Sequence, residues 1–350
     1  MEKTAILAIT KNGIKIASTI KMNFPQWEIF APSKFADNTK AVWYKDSTNS
    51  KIVELFKSYD AIVCIFSLGA VIRLIAPHLV DKKTDPAVIV IDDKANFVIS
   101  TLSGHLGGAN ELTEEIAKKL GSTAVITTAA DVNKTIPVDL VGRKFGWKID
   151  DDSTVTKISA FMVNEEKIGV YQNAGERNWW EGNLPKNVTV YDTFEKLEKS
   201  NSKGFLIISD KKITGQILEN AVVYRPKTLV VGIGLHGNTT KEKILEGLNA
   251  CLEKFGLSPK AIARFASLKK PQEISSLVEA AKEFGVPVEY FEREELAKVR
   301  IPNPSVMVEA FEGTASVSEA ASMLSSKGSL VVEKQKFPPD LTIAIARIDK

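Results

Sequence analysis

A multi-domain α/β fold is what this sequence predicts, and three observations predict it. Short apolar runs rich in β-branched residues alternate with longer amphipathic runs, the pattern of sheets covered by helices. A chain of 350 residues exceeds a single compact core and suits two or three. Turn-forming residues separate three segments: 1–134, an N-terminal α/β unit; 135–225, a small α+β middle domain; and 226–350, a C-terminal α/β unit. The two larger units are expected to hold open sheets, mixed or largely parallel.

In the first segment the β-branched runs predict strands near Ala5–Ile9, Ala61–Phe66, Val88–Ile91, Phe97–Leu102 and Thr123–Thr127. Helices are expected near Gly13–Ile20, Lys51–Tyr59, Ala70–Ala76 and Ala109–Leu120. The last has Leu112, Ile116 and Leu120 on one side, Glu114–Lys118 and Glu115–Lys119 pairs outside, and Gly121 as its stop. Asp92–Ala95 reads as the turn of a hairpin. The middle segment predicts a helix near Thr154–Val163 and strands at Ile168–Tyr171, Val188–Tyr191, Phe205–Ile208 and Val222–Tyr224. Its loop GERNWWEGN either folds onto its own small core or faces a substrate. Tyr224–Lys227 reads as a linker. Beyond it, strands near Thr228–Ile233, Ala261–Ala266, Val286–Phe291, Ser329–Val332 and Thr342–Ala346 alternate with helices near Thr240–Phe255, Gln272–Phe284, Glu292–Lys298 and Ser316–Ser325.

Composition excludes several classes. A net charge of +3 is too small for a nucleic-acid footprint. No run approaches the roughly 20 apolar residues of a membrane span, and the N-terminal apolar run is too short for a signal peptide. The two cysteines, Cys64 and Cys251, lie in apolar contexts without ligand spacing and read as buried thiols of a cytoplasmic protein. There is no P-loop and no nucleophile elbow. The three histidines, His78, His105 and His236, share no ligand spacing, so no protein metal site is expected.

Two glycine-rich stretches remain. Gly232-Ile233-Gly234-Leu235-His236-Gly237 is a literal G-x-G-x-x-G after a strand, but no carboxylate ends the next strand, which runs into Lys269 and Lys270. The glycines are therefore expected to form a tight strand-to-helix turn that receives an anion, with NADP binding as the lesser reading. The other is LSGHLGGAN, Leu102–Asn110. Gly107 and Gly108 allow close backbone approach, and the N–H groups of Gly108, Ala109 and Asn110 are expected free at a helix start. His105 is the one group here that ordinarily titrates near neutrality. A capping reading, with Asn110 as N-cap and Glu111 opposing the dipole, competes with a ligand-site reading that adds Ser103. Ser67-Leu68-Gly69 forms a similar turn with Arg73 one turn inside. Asp81–Pro86, containing Lys82 and Lys83, is either a solvated loop or part of the site. Thr127-Thr128 ends a further strand, and all these turns are expected at strand carboxyl ends, where open sheets bind ligands.

These residues resemble the cobalamin-biosynthesis protein G family. The resemblance is carried by SLGAVIRLIAPHLVDKKTDPAVIVIDD, LSGHLGGANELTEEIAKKLG, AVITTAADV, FASLKKPQEISSLVEAAKEFGVPVEYFEREEL and GTASVSEAASML, and extends over nearly the whole chain. It departs at Gly232–Asn238, where the family usually has Gly-Ile-Gly-Cys-Arg-Arg-Gly and this chain lacks both arginines. The resemblance implies a cobalt-precorrin 5A hydrolase of anaerobic cobalamin biosynthesis, which opens a δ-lactone and releases acetaldehyde to give cobalt-precorrin 5B. The partner it implies is the cobalt-precorrin macrocycle, with other pathway enzymes or a second copy of the chain as further partners. No cofactor is implied, because the substrate carries the cobalt. On residue chemistry His105 is expected to act as the base, assisted by Glu111, with an oxyanion pocket of N–H groups around Gly107–Asn110. Arg73 and Lys82 or Lys83 are expected to pair with substrate carboxylates, and Gly69, Ser103, Gly104, Thr127, Thr128 and His236 to complete the binding surface. A non-catalytic tetrapyrrole carrier is the alternative from a different class.

Overall fold

The computed structural model describes residues 3–81, 83–272, 274–304 and 316–349. The chain divides into two compact units, Met1–Leu140 and Val141–Lys350, where the sequence pattern predicts three segments.

The first unit runs β1 (Thr4–Ala8), α1 (Lys11–Asn23), β2 (Glu28–Pro32), β3 (Val42–Tyr44), α2 (Thr48–Ser58), β4 (Ala61–Ile65), α3 (Leu68–Ile75), β5 (Ala87–Ile91), β6 (Phe97–Leu102), α4 (Ala109–Leu120), β7 (Thr123–Val125) and α5 (Ala129–Val132). Its sheet has the order β3-β2-β1-β4-β5-β6-β7. Strands β1, β4 and β5 are buried throughout and almost wholly apolar because both faces are covered. Ile6 and Ala8 pack with α1 and α4 residues such as Ile14, Ile20, Leu112 and Ile116. Ala5 and Leu7 pack with Ile52, Leu55, Val71 and Ile75 of α2 and α3. Strands β2 and β3 were not expected from the sequence. They are short, lie toward a sheet edge, and one ends in proline, so little alternation marks them.

Strand direction decides where the site lies. Strands β1 to β5 are mutually parallel, but β6 pairs antiparallel with β5, Val88 opposite Leu102, and β7 follows β6 in parallel. The carboxyl ends of β6 and β7 therefore lie at the edge where β5 begins. Ser67–Gly69, after β4, is at the opposite edge. Each of these turns follows the carboxyl end of a strand, as expected, but they do not share one edge, because the hairpin reverses the chain between them.

The second unit begins with β8 (Lys148–Ile149), α6 (Val155–Val163), β9 (Ile168–Gln172), β10 (Val188–Tyr191), α7 (Phe194–Glu198), β11 (Gly204–Ile208) and β12 (Ala221–Arg225). Their sheet, β10-β9-β11-β12-β8, is parallel except for β8. The tryptophan loop is folded onto itself: Trp179 Nε1 donates to Gln172 Oε1 at 2.9 Å and Trp180 Nε1 to Asn183 O at 3.1 Å.

The unit continues with β13 (Leu229–Leu235), α8 (Lys241–Lys254), β14 (Ile262–Leu268), α9 (Ser275–Glu283), β15 (Val288–Phe291), α10 (Arg293–Leu296), α11 (Val317–Ser326), β16 (Leu330–Phe337) and β17 (Leu341–Arg347). The sheet order is β15-β14-β13-β17-β16. The sequence linker at Tyr224–Lys227 is in part the buried end of β12. Arg225 is fully enclosed and donates to Asp150 Oδ2 at 2.7 Å and Ser209 O at 3.0 Å. Beside it Asp210, also buried, accepts from Arg347 Nε at 2.6 Å, Thr228 Oγ1 at 3.2 Å and Asn173 Nδ2 at 3.1 Å. Charges this deeply placed persist only when paired, and this set clasps the middle and C-terminal sheets together.

Gly232 and Gly234 lie inside β13 and not in a turn, which corrects the anion-turn expectation. A Cβ at Gly232 would sit 1.8 Å from Ser318 O, and one at Gly234 would sit 2.6 Å from Thr342 Oγ1. The glycines let α11 press its backbone onto the strand. The G-x-G-x-x-G pattern is a packing device here, and the nucleotide reading loses its footing. Cys64 and Cys251 are both free and buried, and burial pushes their thiols up, Cys251 to about 11. Among the described residues no helix is long and apolar enough to cross a membrane.

Candidate active site

The loop between β6 and α4 is closed by its own backbone. Gly108 N donates to His105 O at 3.0 Å, Ala109 N to Ser103 O at 3.2 Å and Asn110 N to Gly104 O at 3.0 Å. The three N–H groups expected to form an oxyanion pocket are therefore already spent, because the loop folds back over the helix start. Two left-handed residues make that possible, Ser103 at φ 55° and Gly108 at φ 77°. Gly108 is the N-cap, and Asn110 sits inside the helix, which overturns the capping role considered for Asn110. Gly104 and Gly107 serve closure: a Cβ on Gly107 would lie 2.4 Å from Ser103 Cβ, and one on Gly104 2.7 Å from Asn110 Oδ1.

Asn110 is buried and acts as a hub. Its Oδ1 accepts from Ser100 Oγ at 2.6 Å. Its Nδ2 donates to Thr128 Oγ1 at 3.0 Å and to Asp131 Oδ2 at 2.7 Å. One amide thus ties β6, α4 and α5 together. Thr128 is also the N-cap residue of α5, which turns Asp131 back toward the loop.

His105 lies between two carboxylates. Its Nε2 is 2.8 Å from Asp131 Oδ2, and its Nδ1 is 3.5 Å from Asp139 Oδ1. Asp139 and, after opposing burial, Asp131 raise the imidazole above its ordinary range near 6.5. Among the described residues these two carboxylates pair with His105. Glu111, expected to orient the imidazole, stands exposed on the first turn of α4, and it is Asp131 and Asp139 that pair with the ring. Asp131 lay within the stretch AVITTAADV without an assigned role, whereas Asp139, in TIPVDL, carried no local mark.

The structure brings His105, Asn110, Ser103, Gly104, Gly107, Gly108 and Thr128 together, with Thr127 exposed beside them. Ser103 Oγ donates to Asp85 O at 2.9 Å, so its hydroxyl fastens the loop before β5 to the motif. Lys83 and Asp85 belong to that loop, and Lys82 lies outside the described residues. Arg73 is exposed on the last turn of α3, which descends to the same edge. Gly69 is not brought to this cluster, since it opens α3 at the opposite edge. His236 belongs to the second unit, where it is exposed and lines a cavity of about 330 Å³ with Lys270, Lys334 and Lys336. Among the described residues no group of His, Cys, Asp and Glu has a metal-holding arrangement.

Fold and site together define an α/β protein whose N-terminal sheet presents a histidine–carboxylate cluster at the end of an antiparallel strand. Residues 51–131 match the cobalamin synthesis G N-terminal model, 136–226 the cobalamin biosynthesis central region and 229–346 the cobalamin synthesis G C-terminus. The chain belongs to the cobalamin-biosynthesis protein G family. It is 40% identical to the cobalt-precorrin-5A hydrolase of Priestia megaterium, over 98% of this chain and 94% of that one. It is 28% identical to the cobalt-precorrin-5A hydrolase of Salmonella typhimurium, over 95% and 94%. The crystal structure of a cobalamin biosynthesis protein G homolog from Sulfolobus solfataricus covers 99% of this chain and 98% of its own at 23% identity, with a TM-score of 0.40.

Proposed function

We propose that this chain is a cobalt-precorrin-5A hydrolase that opens the δ-lactone of its substrate and releases acetaldehyde. The observation that carries this is the 40% identity, over nearly the full length of both chains, to a relative of that name. The site is compatible with it. Lactone hydrolysis and carbon–carbon cleavage both need a proton-transfer group active near neutrality, and His105 is such a group, largely enclosed within the LSGHLGGAN loop. The macrocycle brings its own cobalt, so the chain needs no metal site or organic cofactor. Arg73 and Lys83 supply positive charge for peripheral carboxylates, Arg73 being capable of the bidentate contact. The exposed Ile72, Leu79 and Val80 supply apolar surface beside them. Its place of work is the cytoplasm.

Purified chain incubated with cobalt-precorrin 5A is expected to yield acetaldehyde. Absence of acetaldehyde while neighbouring pathway enzymes turn over would leave only the carrier reading. Arg73→Ala is expected to raise KM more than it lowers kcat, as uniform binding predicts.

A further inference from the structure

Naming His105 as the proton-transfer group leaves open the direction in which its proton first moves, and the geometry around the ring bears on that. A neutral imidazole has one N–H and one lone pair. With Asp131 Oδ2 on one nitrogen and Asp139 Oδ1 on the other, a neutral ring would aim its lone pair at an anionic oxygen. The imidazolium donates from both nitrogens and meets both carboxylates. Among the described residues, Asp131 and Asp139 are the titratable groups that act on the ring. Asn110 donates to the same Asp131 oxygen and holds that carboxylate in place. The histidine side chain is 15% exposed, so the attraction is screened less than on an open surface.

We propose that His105 enters the reaction as imidazolium and serves first as acid, then as base, on one substrate oxygen, with Asp131 and Asp139 as the positioning residues that hold its charge. This deepens the hydrolase reading and rests on it. In the first step water adds to the lactone carbonyl and releases one proton to solvent, and the tetrahedral intermediate collapses with cleavage of the bond to the ring oxygen. That oxygen leaves with the electron pair and takes the proton of one His105 N–H, which turns from its carboxylate to the leaving group. The products are a hydroxyl group and a carboxylic acid, which loses its proton to solvent.

His105 is now neutral, beside the new hydroxyl and two carboxylates that favour reprotonation. In the second step it takes the hydroxyl proton. The O–H electron pair becomes the C=O bond of acetaldehyde, and the carbon–carbon bond breaks with its pair passing into the macrocycle, which gains a proton from solvent. The imidazolium is restored, and no oxidant or reductant is consumed.

The test uses full-length protein with isotope-labelled imidazoles. With three histidines in the chain, His105→Ala identifies the signal. His105 is expected to titrate above the ordinary value of about 6.5, and lower in Asp131→Asn and Asp139→Asn than in the parent. In both variants kcat should fall about tenfold or more with KM little changed. The alkaline limb of the rate profile should move to lower pH, since less imidazolium survives there. Asp131→Glu, which keeps the charge, should restore that limb in part. Mass spectrometry of His105→Ala reactions should find the lactone unopened.

A His105 that titrates at or below the ordinary value overturns the proposal. So does a His105→Ala product one water heavier than substrate with no acetaldehyde, because His105 would then act only in the second step. Folded parent protein that releases no acetaldehyde sinks the hydrolase reading and the relay with it. The titration, which needs no substrate, still reports whether the carboxylates hold the charge.

Discussion

Replacing Asn110 by alanine should uncouple the site from its scaffold. The substitution removes two donated hydrogen bonds and one accepted bond. The bond to the Asp131 carboxylate is charge-assisted and contributes about 1.5–3 kcal/mol, and each neutral bond about 0.5–1.5 kcal/mol. Ser100 and Thr128 are half-buried and regain water in part, so the expected loss is about 3 kcal/mol, or roughly two orders of magnitude in the folding equilibrium. Urea unfolding of the full chain measures it, with hydrogen exchange of peptides from 97–132 assigning the transition to the first unit. Asn110→Asp, nearly isosteric, exchanges the donor for an acceptor facing Asp131 and should cost at least as much at neutral pH. A loss under about 1 kcal/mol in both variants, with unchanged turnover, would refute the hub assignment.

Two glycines on opposite sheet edges make a matched pair. Gly69→Ala, whose Cβ meets nothing within 4 Å, should leave acetaldehyde release unchanged, whereas Gly107→Ala, with a Cβ 2.4 Å from Ser103 Cβ, should lower it by distorting the loop. Gly232→Ala should destabilise the second unit by about 1–3 kcal/mol or more in denaturant, since the opposing atom is backbone and cannot rotate away. Asp210→Ala leaves the half-buried Arg347 guanidinium without its buried carboxylate and should cost about 3 kcal/mol in the same assay, and Arg347→Met in the Asp210→Ala background should recover part of it.

Much of the fold was legible locally. Helix α4 runs from Ala109 to Leu120 with Gly121 at its end in the left-handed conformation, as its apolar spacing and terminal glycine predict. Strands β1, β4 and β5 announce themselves as unbroken apolar runs because helices cover both faces. Strands β2 and β3 do not, being short and near an edge. The loop that carries His105 was legible as a candidate site, but the two carboxylates against its ring were not. Asp131 is 26 residues from His105 in sequence and reaches it only through the turn into α5. Asp139 follows a proline-containing stretch with no periodicity to read.

The sequence by itself determined the family, the alternation of strands and helices, and the histidine at the head of α4. Those properties reside in runs of neighbouring residues and in motifs matched position by position. Tertiary structure decided which edge of the sheet the motif occupies, because one hairpin reverses β6 and no local pattern records strand direction. It also decided that the loop's N–H groups are spent on its own carbonyls and that Gly232 packs a helix instead of cradling an anion. The same long-range contacts set two carboxylates against His105. Each of these outcomes depends on which distant atoms come within a few ångströms, and chain order alone does not specify that.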